Sequence, residues 1–283
     1  MAVKSPIRYP GGKWKVIDEL MELIPNDIED WREPFFGGGS VTFGLVQYKL
    51  KRPKRITVGD LAPEVYTFWA MTQKNPKEVE QNVIEIYNKY KDAEELWDYV
   101  QSVDCSQIDD YRRAARFYIS NKISFNGAGD SGSLSKSNYE SFDLSECKSL
   151  YSASEILHGI DIRNCSYEEI IFDDMTYGKD KTFVFFDPPY ETQAKFGLYG
   201  RHGDTHKNFD HDKFAEDCKK LDCKFLITYD DRPSIRRRFN WANIKPFHIT
   251  YTMAAKRSED SLNGEELLIA NYEINDLESD ELF

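Results

Sequence analysis

Hydrophobic and polar positions divide the chain into three stretches. In the first, Ser5 to Leu23 opens on a glycine turn and runs into a helix. Trp31 to Phe36 has a strand pattern, Gly37 to Gly39 form a loop, Ser40 to Leu50 a helix, and Ile56 to Gly59 a second strand ending at Asp60. Strand, loop, helix and strand make the opening unit of a doubly wound sheet. From about Gln73 to Ile160 the character changes. Val79, Val83, Ile86, Tyr90 and Trp97 recur at near-helical spacing across Pro76 to Gln101, and Asp109 to Phe125 reads as a second helix, carrying arginines. The turn-rich segment Asn126-Gly127-Ala128-Gly129-Asp130-Ser131-Gly132-Ser133 follows. In the third stretch, Asp161 to Cys165 is a short strand, and Thr182 to Phe186 lacks alternation, which predicts a strand buried on both faces. Asp210 to Leu221 is a helix; Lys224 to Thr228 and Glu266 to Tyr272 are further strands. The pattern predicts an α/β sheet domain from residues 1–72 and 161–283, with a mainly helical module, 73–160, inserted into it. The plain alternative for that module is a helical cap with no partner.

Composition narrows this picture. A length of 283 residues with 40% hydrophobic positions suits one sizeable core with a smaller module better than two equal domains. The cysteines Cys105, Cys147, Cys165, Cys218 and Cys223 are odd in number and none has C-x-x-C spacing, which predicts reduced thiols in a cytoplasmic protein. No apolar run is long enough to span a membrane, and Met1 to Trp14 lacks the apolar middle of a signal peptide. A net charge of -12 argues against nucleic acid as a partner. Binding depends on local charge, however. Acid concentrates in the tail from Glu273 to Glu281, while basic residues cluster at Lys49 to Arg55, at Arg112, Arg113 and Arg116, and at Arg236 to Arg238. Each cluster taken alone is better explained as a solvated face.

The sharpest candidate for chemistry is Asp187-Pro188-Pro189-Tyr190, directly after the apolar strand Phe183 to Phe186. Ligands in open α/β sheets bind at the carboxyl ends of strands. The two prolines stiffen the segment, leaving a carboxylate at one end and an aromatic ring at the other. Such a group suits an exocyclic amino nitrogen whose lone pair is delocalised into a ring. Two acceptors, a carboxylate and a proline carbonyl, each taking one N–H, localise that lone pair and aim it. Tyr190 offers a stacking surface. A strand-terminating turn is the alternative.

Two further segments bear on a nucleotide-like ligand. In Glu33-Pro34-Phe35-Phe36-Gly37-Gly38-Gly39-Ser40, three glycines allow close backbone approach, and Asp60 ends the next strand where an acid takes ribose hydroxyls. Alone, the loop fits a dinucleotide enzyme as well; it is not G-x-x-x-x-G-K-[ST], so it does not read as a triphosphate cradle. Arg8-Tyr9-Pro10-Gly11-Gly12-Lys13 precedes a helix, and Lys13 is placed to pair either with Asp187 or with a carboxylate of the ligand.

Together these segments resemble the DNA adenine methyltransferase (Dam) family, amino-methyltransferases whose catalytic motif ends in Asp-Pro-Pro-Tyr. The order agrees: Pro-Gly-Gly-Lys, the glycine loop, the ribose acid, an inserted region, then Asp187 to Tyr190. Phe225 to Asp230, and Arg257 with Asn263-Gly264 and Glu265 to Ile269, resemble later family segments, so the likeness runs from about Pro6 to Tyr272. It implies a Rossmann-like S-adenosylmethionine-dependent sheet and transfer of a methyl group to adenine N6 in double-stranded DNA, with the base flipped out of the duplex. It implies cofactor contacts from Tyr9, Lys13, Phe35, Gly37, Gly39, Asp60 and Asp187, and catalysis by Asp187, Pro188 and Tyr190. Cys165-Ser166-Tyr167 stands where the family places a motif near the cofactor's adenine, without the aspartate many members carry. The inserted region is expected to read the target, through Arg112, Arg113, Arg116 and Lys122 on or near its second helix and Asn126 in the loop Ser124 to Asn138. Family members often place a base-reading arginine after Asn-Gly; here Ala128, Gly129 and Asp130 follow. The polar loop Thr192 to Asn208, with Gly197, Gly200 and Gly203, suits a lid. His202, His206 and His211 lack further ligands at metal spacing, so no metal is expected. Competing readings are an RNA adenine methyltransferase with the same chemistry and a decayed member that binds without turnover.

Overall fold

The computed structural model describes residues 2–191, 209–249 and 264–274. The expected lid, 192–208, with His202 and His206, lies outside the described residues, as do Arg257, Asn263 and the acidic tail from residue 275. Seven strands form one sheet: β1 (Asp30–Glu33), β2 (Arg55–Gly59), β3 (Asp161–Arg163), β4 (Thr182–Phe186), β5 (Lys224–Asp230), β6 (Asn243–Ile249) and β7 (Gly264–Ala270). Their order is β3-β2-β1-β4-β5-β7-β6. β1 to β5 are parallel, and β7 runs antiparallel to both β5 and β6. The chain travels outward from β1 through β2 to β3, then returns to lay β4 on the other side of β1. That reversal opens a crevice at the carboxyl ends of β1 and β4, where a doubly wound sheet binds ligands.

All five residues of β4 are buried, as its unbroken apolar run predicts. Trp31 on β1 stacks on Phe183 and Phe185 of β4, with centroids 5.7 and 6.1 Å away. β1 stops at Glu33, short of the expected Phe36, because Pro34 has no N–H to give the ladder. β6 escaped the pattern reading. Its Pro246 is tolerated because β6 is an edge strand.

The helices are α1 (Ile17–Leu23), α2 (Ser40–Tyr48), α3 (Pro63–Lys74), α4 (Pro76–Lys89), α5 (Ala93–Ser102), α6 (Asp110–Ile123), α7 (Lys136–Ser141), α8 (Lys148–Leu157), α9 (Tyr167–Ile171), α10 (His211–Lys219) and α11 (Pro233–Arg238). The expected stretch from Pro76 to Gln101 is two helices, because the Asp92 carboxylate accepts the Glu95 amide at 2.9 Å and starts a new helix. Asp109 caps α6 in the same way, from the Arg112 amide at 3.0 Å. Helix α6 packs on α3, α4 and α5, and α3 also on α8. Phe68, Val79 and Tyr118 from these helices share one buried apolar cluster with Trp31 and Phe183. A second cluster, with Phe186, Phe214, Phe225 and Phe239, covers the other side of β4 and β5. A division between residues 72 and 73 falls within α3. Among the described residues, no helix is long and apolar enough to cross a membrane, and no group of three or more His, Cys, Asp or Glu is placed to hold a metal ion.

Candidate active site

The crevice is a cavity of about 520 Å³ lined by Tyr9, Lys13, Phe35, Gly37, Asp60, Asp187, Pro188 and Tyr190, so most of the sequence-predicted site residues converge there. Gly39 does not line it, and shapes the loop from behind. It takes φ +70° at the start of α2, and a Cβ there would come within 2.8 Å of the Phe36 ring. Gly37, at φ +45°, lies so close to the Tyr9 ring that a Cβ would sit 2.7 Å from its Cε1. The loop is thus a bare-backbone wall pressed on Tyr9. The Trp69 indole N–H pins it by donating to the Gly37 carbonyl at 2.8 Å.

Asp60 follows β2 and accepts the amides of Gly37 and Ala62, both at 2.9 Å. Burial pushes its pKa up to about 6 despite those bonds. Beside it, Phe35 stacks on Tyr167 at 5.7 Å and meets Phe209 edge-on at 5.7 Å, giving the cavity an aromatic wall. Cys165, Ser166 and Tyr167 all line the cavity, so this segment reaches the site.

Asp187 follows β4 and is held from several sides. The Lys13 ammonium donates to its two oxygens at 2.8 and 2.7 Å, the Thr228 hydroxyl to Oδ1 at 2.8 Å, and the Tyr190 hydroxyl stands 3.1 Å from Oδ1. Lys13 is buried and also donates to the Gly11 carbonyl at 2.7 Å. Burial alone favours its neutral amine; the charges of Asp187 and Glu266 outweigh that and hold its pKa above the usual lysine value. Of the two partners open in the sequence, Asp187 is the one found here. The Tyr190 ring has Lys13 over it at 5.3 Å and stacks on Tyr229 at 5.8 Å. Its hydroxyl, 2.9 Å from Glu266 Oε2, is therefore what Tyr190 brings to Asp187. Below them, burial raises the Glu33 carboxyl to about 8, against the amide and hydroxyl of Thr42, which both donate to it.

The residues expected to touch DNA lie apart from the cavity, on and after α6. Arg116 is a correction. It is fully buried, donating to the Val100 carbonyl and paired with Asp130 at 2.5 Å and Glu64 at 3.5 Å, so it has no face to offer a phosphate. Asp130, in the turn-rich loop after α6, is its largely buried partner. Arg112 pairs with Glu85, Arg113 with Glu64 and Asp110, and Lys122 with Glu146, all partly exposed. Asn126 is exposed at φ +55° beside Phe125, which is 59% exposed. In the cluster 236–238, Arg236 pairs with Asp231, and Arg238 with Glu191 and Asp212.

Sequence reasoning assigned no role to Thr228, Glu266 or Asn121. The buried Asn121 side chain accepts the Arg8 amide at 2.9 Å and donates to the carbonyls of Arg8 at 2.6 Å and Gly127 at 2.8 Å. It thus ties the first cavity segment to the loop after α6. Only the fold brings these residues together.

Comparison with known proteins agrees with this geometry. The family model for D12 class N6 adenine-specific DNA methyltransferase matches residues 9–253, which span every site residue named above except Arg8 and Glu266. The chain belongs to that family. A D12 class member methylates adenine N6 in DNA, and this agrees with what the Asp187-to-Tyr190 segment led one to expect; RNA is not what the family description names. Two curated relatives are similar over almost their whole length. Type II methyltransferase M1.LlaDCHI of Lactococcus lactis subsp. cremoris is 24% identical, with 94% of this chain and 94% of the relative aligned. Type II methyltransferase M.MjaIII of Methanocaldococcus jannaschii is also 24% identical, with 96% and 100% aligned.

Proposed function

We propose that this D12 class methyltransferase binds S-adenosylmethionine in the 520 Å³ cavity and receives there an adenine flipped out of double-stranded DNA. The observation that carries the reading is the meeting of Asp187 and Asp60 in one cavity, one group suited to an amino nitrogen and the other to a ribose. The cofactor fits the residues present. The glycine loop seats the Tyr9 ring against bare backbone at the cavity edge, Asp60 supplies acceptors for ribose hydroxyls, and the wall of Phe35, Tyr167 and Phe209 suits a flat purine. When bound, S-adenosylmethionine supplies a methyl group already activated on a sulfonium.

The protein's own work is therefore placement. Asp187 takes one amino hydrogen of the target adenine and the Pro188 carbonyl the other, so that the nitrogen lone pair points out of the ring. Lys13 and Thr228 fix the Asp187 carboxylate for that task. The helical module, 73–160, reads the target sequence. Arg112, Arg113 and Lys122 exchange their acidic partners for phosphates, and Asn126 with Phe125 meets the bases. Free thiols at all five cysteines suit a cytoplasmic protein. The relatives' designation as Type II methyltransferases favours a role paired with a restriction nuclease. The test is nucleoside analysis of duplex DNA and of RNA, each incubated with the protein and S-adenosylmethionine. N6-methyladenine in DNA alone is expected; methyl groups in RNA alone, or on cytosine, would overturn the reading.

A further inference from the structure

Methylation of an amino group releases a proton beside Asp187, and the geometry around Tyr190 offers it a route into the protein. The Tyr190 hydroxyl stands between two carboxylates, 3.1 Å from Asp187 Oδ1 and 2.9 Å from Glu266 Oε2. It has one proton to give. Asp187 Oδ1 already accepts from Lys13 and from Thr228, both at 2.8 Å, and Glu266 Oε2 is the nearer acceptor. The phenolic proton therefore points to Glu266, and the phenolic lone pairs face Asp187.

We propose that Glu266 is the terminal proton acceptor of methyl transfer, reached from Asp187 through the Tyr190 hydroxyl. The proposal rests on the reading of Asp187 as the acceptor of the adenine amino group. As the nitrogen–methyl bond forms, the N–H bond breaks and an O–H bond forms on Asp187. That proton passes to the Tyr190 oxygen while the hydroxyl's own proton moves to Glu266, so one O–H bond is made for each one broken and nothing is oxidised or reduced. Glu266 suits the end of such a path. It is buried on β7, and its carboxylate is the nearer of the two acceptors to the Tyr190 hydroxyl. Lys13, 3.9 Å from Glu266 and bonded to Asp187, attends both carboxylates and keeps a counter-charge beside whichever is ionised.

The test uses the full chain, duplex DNA containing its methylation site, and S-adenosylmethionine in single-turnover reactions. Cofactor affinity is measured alongside by tryptophan fluorescence. Glu266→Gln and Tyr190→Phe each remove one member of the relay while keeping its shape. Each is expected to slow methyl transfer at least tenfold, with S-adenosylmethionine affinity within twofold of wild type and the double variant no slower than the slower single one. Glu266→Asp, which restores a carboxylate, is expected to recover part of the rate. Transfer within twofold of wild type in either variant, additive losses, or a loss confined to cofactor affinity would overturn the relay. Should Glu266→Gln fail to fold, Tyr190→Phe alone decides. Activity surviving in Asp187→Ala would instead overturn the underlying reading of the site.

Discussion

Arg116 separates a DNA contact from a structural one. Its guanidinium is fully buried, bonded to the Val100 carbonyl and paired with Asp130, whose side chain is 8% exposed, and with Glu64. Arg116→Ala leaves the Asp130 carboxylate buried without its cation. Breaking a buried pair in this way costs about 3–5 kcal/mol. With a urea slope of about 3 kcal/mol/M, the midpoint of unfolding falls by roughly 1–2 M. Arg116→Met combined with Asp130→Leu removes both charges and is expected to regain most of that loss, because matched apolar groups replace buried ion pairs at little net cost. The assay is urea unfolding of the three proteins, with the salt dependence of duplex-DNA binding measured on folded protein. Contact with one phosphate contributes about one to that slope, and none of it should come from Arg116. Wild-type stability in Arg116→Ala, together with a slope reduced by about one, would refute the reasoning.

Other consequences are as direct. Gly37→Ala sets a Cβ 2.7 Å from the Tyr9 ring at φ +45°, and is expected to destabilise the protein by about 1–3 kcal/mol and to weaken S-adenosylmethionine binding at least tenfold by calorimetry. Glu33 holds its proton in the folded protein up to about 8 but loses it near 4.5 when unfolded, so its contribution to stability is full below pH 4.5 and declines as pH rises toward 8. Relative to wild type, Glu33→Gln should therefore gain stability with pH, by at most about 1.4 kcal/mol per pH unit; a constant difference from pH 5 to 8 would contradict the burial argument. Phe125→Ala, at an exposed loop position, is expected to leave the melting temperature within about 1 °C while weakening DNA affinity severalfold; unchanged affinity would remove Phe125 from the interface.

What the sequence disclosed follows the range of the signal. Asp187 to Tyr190 was legible because an unbroken apolar strand running into two prolines is a local event, and the glycine loop and Asp60 stand close together in the chain. Thr228 and Glu266 are ordinary strand residues by local pattern. They reach Asp187 and Tyr190 only because β5 lies beside β4 and β7 returns antiparallel to β5. Arg116 was misread for a related reason. Ala114 to Ile123 is buried apart from Lys122, so α6 shows little periodic contrast, and nothing local distinguishes Arg116 from the partly exposed Arg112 and Arg113. Asp130, its partner, is 14 residues away on a turn-rich loop. β6 was missed because Pro246 ordinarily speaks against a strand, and only its place at the sheet edge makes it tolerable.

The central claim is that Asp187 holds the adenine amino group while the cavity around Asp60 holds the cofactor. Transfer of labelled methyl from S-adenosylmethionine to duplex DNA, run side by side with wild type and Asp187→Ala and with cofactor binding measured on both, tests it most directly. The account predicts label on adenine N6 with wild type, none with the variant, and cofactor binding still measurable in both. Label transferred by Asp187→Ala at a rate near wild type would contradict it.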